Sequence, residues 1–250
     1  MISLFQQQEG LIREAYAGAL NSSVAAFEGD AVTIVERPEL HWGYAVNGVC
    51  FPRGTLVAVA PELLKFARST APARHRDATA GRYLEGLRDE ARRLGLGTGL
   101  NAHSGAVCWG LARRPEPLTL PAGLRFERVD ADWLNAHIRE GRFENGAGPA
   151  NGGGGRTARN KFGIAVMDDR DEAIALAGVF DTYGLAEIGI DVVPSHQGQG
   201  LGRAAVAAAV LAILDAANVP FYGCAPNNIR SQRTALSTGF LPVCSDGTVA

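Results

Sequence analysis

The chain has 250 residues, 46% of them hydrophobic and 20% charged, with a net charge of −2. That balance excludes a collagen-like or wholly disordered chain, and the length allows one large domain or two small ones, each with a sizeable core. With no basic excess to neutralise phosphates, nucleic acid is not an expected partner.

Four cysteines stand far apart, at Cys50, Cys108, Cys224 and Cys244, and no Cys-x-x-Cys occurs. The expectation is reduced, packed thiols in a cytoplasmic protein, with no zinc ribbon. The opening MISLFQQQEG lacks the basic stretch and apolar run of a secretory signal. The longest apolar run, Ala204 to Leu214, is 11 residues, too short for a bilayer. A soluble protein that does not engage the membrane is expected.

In chain order, residues 2–19 carry apolar side chains at roughly helical spacing. Ala31–Glu36, Tyr44–Phe51 and Thr55–Ala60 read as strands, the last two joined by a turn at Pro52-Arg53-Gly54. Pro61 opens a predicted helix to Ser69, and Arg76–Leu94 reads as a second, stopped by GLGTG at 95–99. Ala106–Ala112 is another apolar run. Pro115, Pro117 and Pro121 then make the best linker in the sequence, dividing an N-terminal α/β domain (1–120) from a second domain (121–250). Beyond the linker, Leu124–Val129 reads as a strand, and Asp130 can cap a helix to about Arg139.

Seven glycines fall between 141 and 155, so 144–160 is expected to be irregular, a surface loop or a cover for a substrate. No Gly-Lys-Ser/Thr follows, which excludes a Walker A loop. Phe162–Met167, Ala173–Phe180 and Ala186–Val193, with turns at 168–171 and 182–184, predict an antiparallel meander. Leu201–Ala217 is an alanine-rich helix, Pro220–Ala225 a strand, Asn228–Thr238 a helix stopped by Gly239, and Phe240–Val243 a last short strand.

The informative segment is VVPSHQGQGLGR, Val192 to Arg203, where a strand enters a glycine-rich turn and the turn enters a helix. Glycines let backbone approach a ligand closely, and a helix N-terminus offers unpaired N–H groups carrying about +0.5 charge. Together they make an anion site suited to a pyrophosphate. The spacing is G-x-G-x-G, with Arg203 where a dinucleotide fingerprint needs its third glycine, so a Rossmann site is disfavoured.

Gln197-Gly198-Gln199-Gly200-Leu201-Gly202 resembles the (Q/R)-x-x-G-x-(G/A) signature of the GNAT superfamily of N-acetyltransferases, with Pro194 three residues ahead. Asn228, Ser231 and Gly239-Phe240 resemble the second motif of that family, N-x-x-(A/S)…G-F. The resemblance covers about 122–250, while 1–120 carry no assignable motif and are faintly similar to the extra N-terminal half of some bacterial members. It implies a mixed α/β fold of GNAT type, preceded by a smaller α/β domain, and acetyl-CoA as acyl donor. It also implies that amides from Gln197 to Gly202, with Arg203 beside them, hold the CoA pyrophosphate. Val192 and Val193 would lie beside the thioester, where a backbone N–H can polarise the carbonyl. Asn228 would contact the pantetheine or thiol.

Two departures stand out. Gln197 replaces the commoner arginine, removing a charge from the phosphate site. Ala235 stands where the family often has a tyrosine that protonates the leaving thiolate; Tyr222, Cys224 and Ser231 are near in sequence. A thiolate of pKa near 8.5 is a tolerable leaving group without that acid. The resemblance also implies a primary amine as acceptor. An alkyl ammonium of pKa about 10.4 is neutral only about one part in 10³ at pH 7, so supplying the free amine costs roughly 4–5 kcal/mol. A positioned base contributes about 10²–10⁴-fold.

Strand alternation sets Ile188, Ile190 and Val192 on one face, and Glu187 and Asp191 on the other. Glu187 resembles the glutamate base of histone-acetyltransferase members and is the first choice for base. Asp191 is the second, roughly 13 Å along the strand at about 3.3 Å per residue. His196, in the turn, is a weaker third. His41, His75, His103 and His137 show no metal-ligand spacing, so no metal is expected. Two other readings stay open: a non-catalytic CoA-binding module, and a scaffold in which 1–120 form a homodimer interface.

Overall fold

A computed structural model describes residues 2–37, 44–97, 100–103, 105–138, 141–148 and 159–249. In chain order its regular elements are α1 (Leu4–Ala19), β1 (Ala31–Glu36), β2 (Val46–Phe51), β3 (Gly54–Val59), α2 (Leu64–Ser69), α3 (Gly81–Arg93), β4 (Ala102–His103), β5 (Val107–Leu111) and β6 (Arg125–Asp130). They continue with α4 (Ala131–His137), β7 (Asn160–Met167), β8 (Ala173–Thr182), β9 (Leu185–Val192), α5 (Leu201–Asp215), β10 (Pro220–Cys224), α6 (Ile229–Ser237) and β11 (Phe240–Val249). The fold is mixed α/β with parallel and antiparallel strand pairs, as the resemblance implied. It forms two compact units, one of Glu9–Cys108 with Cys224–Asn227 and Pro242–Ala250, the other of Met1–Gln8, Trp109–Gly223 and Asn228–Leu241.

In the first unit β1 runs parallel to β3, and β2 is antiparallel to both β3 and β11. β3 is buried along its whole length, and Val57 and Val59 pack with Leu63, Leu84, Leu87 and Val249. Two sequence expectations are corrected here. The helix read from Arg76 begins at Gly81, because His75–Thr79 forms a 3-10 turn and Ala80 is extended (φ −148°, ψ 163°). Buried Thr79 holds that turn against the bare backbones of Gly48 and Gly247, a packing that local helix propensity does not register. The strand read as Phe240–Val243 continues to Val249, because Ser245–Val249 pair in register with Cys50–Val46.

Tyr83, on α3, donates its hydroxyl to the Ala67 carbonyl at 2.9 Å, and burial pushes its phenol up to about 12. Unfolded, a tyrosine ionises near 10. The folded state holds the proton more tightly, so this contribution is whole below about pH 10 and is lost as pH rises towards 12. Burial pushes Tyr16 up as well, so Tyr83 accounts for part of the alkaline sensitivity. A Tyr83→Phe variant is expected to lose Tm less steeply over that range than wild type; equal slopes would contradict this.

In the second unit β6, β7, β8 and β9 form the antiparallel meander, and β10 joins β9 in parallel. The β8–β9 turn is Tyr183-Gly184, both at positive φ (58° and 84°), as a two-residue type I′ hairpin requires. α5 packs on the face carrying Ile190 and Val192: a Cβ on Gly202 would lie 3.3 Å from Val192 Cγ2. The buried alanines of α5 at 204, 205, 207 and 209 let it lie close to the strands. The opposite face carries α4, capped by the Asp130 carboxylate accepting the Trp133 N–H at 2.8 Å, as the sequence implied.

Beside α4, residues 141–148 fold back over β8, burying Phe143 and Ala147 against Leu134 and Leu176. Residues 149–158 of the glycine-rich stretch lie outside those described. Gly178 is required by this crossing, since a Cβ there would collide with the Gly146 carbonyl oxygen. Gly178→Ala is therefore expected to cost about 2 kcal/mol or more in chemical denaturation. A change under about 0.5 kcal/mol would show that the crossing is not fixed.

Candidate active site

The site is built where β9 leaves its parallel neighbour. Pairing with β10 covers Ala186, Glu187 and Ile188, opposite Pro220, Phe221 and Tyr222. β9 runs on to Val192, still paired with β8 through Ala175. The Val193 N–H donates to the Ile174 carbonyl at 2.9 Å, so residues of its parity turn their backbone groups towards β8. Ile190 and Val192 have the other parity and turn theirs to the side β10 has left. A slot lined by backbone groups opens between the strands, with Val192 rather than Val193 presenting an amide to it.

At the mouth of this slot stands the glycine turn. Pro194–His196 is a 3-10 turn, and Gln197, Gly198, Gln199 and Gly200 are exposed. Gly198 and Gly200 take φ of 82° and 80°, conformations that side chains with a Cβ rarely adopt, and a Cβ on either would meet nothing within 4 Å. Gly200 is the N-cap of α5, with no side-chain cap and no acidic residue in the first turn. The first amides of α5 therefore lack a side-chain acceptor, while Leu201 is buried beneath and Arg203 is exposed beside them.

The other wall comes from α6. Asn228 caps that helix, its Oδ1 accepting the Ser231 N–H at 3.1 Å. Ser231 Oγ lies 2.8 Å from the Tyr222 hydroxyl, at the last residue of β10 paired with β9. Ala235, where the resemblance expects a tyrosine, is fully buried. From the helix surface Arg230 Nη1 donates to Gln197 Oε1 at 2.8 Å, while Gln197 Nε2 donates to the Val192 carbonyl at 3.1 Å.

The two carboxylates of β9 share a face, as alternation predicted, but their surroundings differ. Glu187 is half-buried and accepts a 2.5 Å hydrogen bond from Thr182 Oγ1 on β8, whose side chain is buried. Arg159 Nη1 donates to the Asp181 carbonyl at 3.1 Å and lies 3.5 Å from the same Thr182 hydroxyl. Asp191 instead accepts from Asn145 N (2.7 Å), Asn145 Nδ2 (2.7 Å) and Gly146 N (2.9 Å). It ties the 141–148 segment to the end of β9. His196 Nδ1 lies 3.0 Å from Ser195 Oγ in the turn. The sequence reading did not single out Thr182 or Arg230. Arg230 meets Gln197 across 33 residues, which no local spacing signals, whereas Thr182 meets Glu187 across the β8–β9 hairpin, only five residues away.

A parallel strand pair whose pairing ends at Ile188, a glycine turn beyond it and a helix N-terminus behind the turn together form a site suited to an anion. The family model described as acetyltransferase (GNAT) domain matches residues 132–241, so this segment is a GNAT acetyltransferase domain. Among solved structures, a GCN5-related N-acetyltransferase-like protein from Streptococcus suis is similar at 16% identity and a TM-score of 0.46, covering 67% of this chain and 68% of its own. A GCN5-related N-acetyltransferase from Kribbella flavida is 17% identical with a TM-score of 0.46, covering 69% and 65%. A Drosophila protein is 18% identical with a TM-score of 0.47, covering 66% of this chain, and the match spans only 58% of that protein's length. No curated protein matches the sequence. Among the described residues no group of three or more His, Cys, Asp and Glu could hold a metal, and no helix is long and apolar enough to cross a membrane.

Proposed function

We propose that the protein is an acetyl-CoA-dependent N-acetyltransferase that moves the acetyl group directly to a primary amine. The observation that carries this reading is the slot between β9 and β10 beyond Ile188, with the glycine turn and the uncapped start of α5 at its mouth. An extended pantetheine arm can pair with backbone in that slot, and a pyrophosphate fits the amides of Gln197 to Gly202. Asn228 and Ser231 line the thiol end.

Glu187 is the base. It takes a proton from the ammonium, directly or through water. The free amine nitrogen attacks the thioester carbon, the C–S bond breaks, the nitrogen releases its second proton to water as the amide forms, and the CoA thiolate leaves and is protonated. The Val192 amide stabilises the charge on the carbonyl oxygen as it develops. The hydroxyl pair of Ser231 and Tyr222 can supply the thiolate proton in place of the missing tyrosine. Asp191 holds the 141–148 segment over the acceptor side, and no covalent enzyme intermediate is formed.

The accompanying domain is the unit built on Glu9–Cys108, the catalytic one the unit built on Trp109–Gly223 and Asn228–Leu241, and the protein works in the cytoplasm. Buried Ala235 favours a second reading, a CoA-binding regulatory module without catalysis, with 1–120 as partner domain or homodimer interface. Thiol release from acetyl-CoA, measured with each of a panel of amines, separates the two. Amine-dependent release supports the enzyme and names the acceptor class. CoA binding with release absent across the panel supports the module.

A further inference from the structure

We propose that Arg230, on α6, is a phosphate-binding residue of the acyl-CoA site and supplies the positive charge that Gln197 does not. The inference rests on the acyl-CoA reading above and adds a residue that neither signature motif names.

Gln197 is fixed from both sides. Its Nε2 donates to the Val192 carbonyl at 3.1 Å, so its Oε1 must face the other way, where Arg230 Nη1 meets it at 2.8 Å. An arginine at 197 could still reach the Val192 carbonyl but would place a second cation against Arg230. Glutamine at 197 and arginine at 230 are thus chemically matched: the amide accepts from the guanidinium and parks it beside the turn that opens α5.

Among the described residues Arg230 has no carboxylate partner, in contrast to Arg114, paired with Asp215 at 3.0 Å, and Arg125, paired with Asp171 at 2.6 Å. Its side chain is exposed, and one of five guanidinium N–H donors is used on Gln197. The rest can form charge-assisted bonds to phosphate oxygens held by the amides of Gly198 to Gly202. Because Gln197 directly precedes those amides, the phosphates concerned are the pyrophosphate rather than the 3′-phosphate.

The test is steady-state kinetics and calorimetric CoA binding on the full chain, with acetyl-CoA, acetyl-3′-dephospho-CoA and acetyl-pantetheine as donors. Arg230→Ala is expected to raise KM for the first two donors about 5-fold or more, with kcat little changed. It should leave kcat/KM for acetyl-pantetheine, which has no phosphate, unaltered. The double variant Gln197→Arg/Arg230→Ala, which moves the charge to the residue beside the turn, is expected to recover most of the lost affinity.

Equal losses with acetyl-pantetheine would overturn the proposal and make Arg230 a structural latch. A loss that vanishes with the dephospho donor would overturn the pyrophosphate assignment, and a change under twofold with all three donors would overturn the role altogether. If wild type itself binds no CoA, the acyl-CoA reading falls and this inference with it, a result distinct from failure of the variant alone.

Discussion

Glu187→Gln is expected to lower kcat/KM for amine acetylation at least about 100-fold while leaving CoA affinity within about twofold. The carboxylate stands on β9 one residue before the last pairing with β10, at the closed end of the slot, and Thr182 Oγ1 fixes its orientation at 2.5 Å. A glutamine there keeps the size of the side chain and can still accept from Thr182, so the loss would report proton transfer rather than shape. The amine must be deprotonated against a deficit of roughly 4–5 kcal/mol at pH 7, and the loss should therefore be largest for the most basic acceptors. A variant with wild-type kcat/KM would remove Glu187 from the mechanism. Asp191, whose oxygens already accept three hydrogen bonds from Asn145 and Gly146, is not positioned to replace it.

The second large effect is expected at Gly200. Asparagine and aspartate have nearly the same shape, both tolerate the left-handed conformation better than most residues, and a side chain here meets nothing within 4 Å of its Cβ. Gly200→Asn and Gly200→Asp should therefore fold alike. They differ by one negative charge at the start of α5. Two like charges about 4 Å apart near a protein surface repel by about 4 kcal/mol before salt screening. Gly200→Asp is expected to weaken CoA binding at least about 30-fold relative to Gly200→Asn, less so at high salt. Equal affinities would mean that no phosphate sits at this helix terminus.

Much of the domain could be read from local pattern. Three apolar runs separated by turn residues report the β7–β8–β9 meander, and the capping signal at Asp130 is self-contained within one helical turn. The glycine turn was legible because left-handed backbone and an open helix N-terminus leave a residue-type signature over a few positions.

What was not legible depends on distant chain. α3 starts at Gly81 because Thr79 is held by Gly48 and Gly247, and β11 runs to Val249 because β2 offers it a partner. Likewise, alternation put Glu187 and Asp191 on one face but could not tell a carboxylate that accepts from a hydroxyl of the neighbouring strand from one consumed by loop amides. The exchange of arginine for glutamine at 197 looked like a lost charge until Arg230 was seen beside it.

The most direct test of the central claim, that the slot between β9 and β10 and the turn before α5 hold acyl-CoA, is a residue-resolved amide footprint. Backbone amides of the full chain would be followed by NMR or hydrogen exchange as CoA is added. The account predicts shifts and protection at Ile190 and Val192 and from Gly198 to Gly202, with Val193, already bonded to Ile174, changing little. Saturating CoA that leaves those amides unchanged, or that protects a different region, would contradict it.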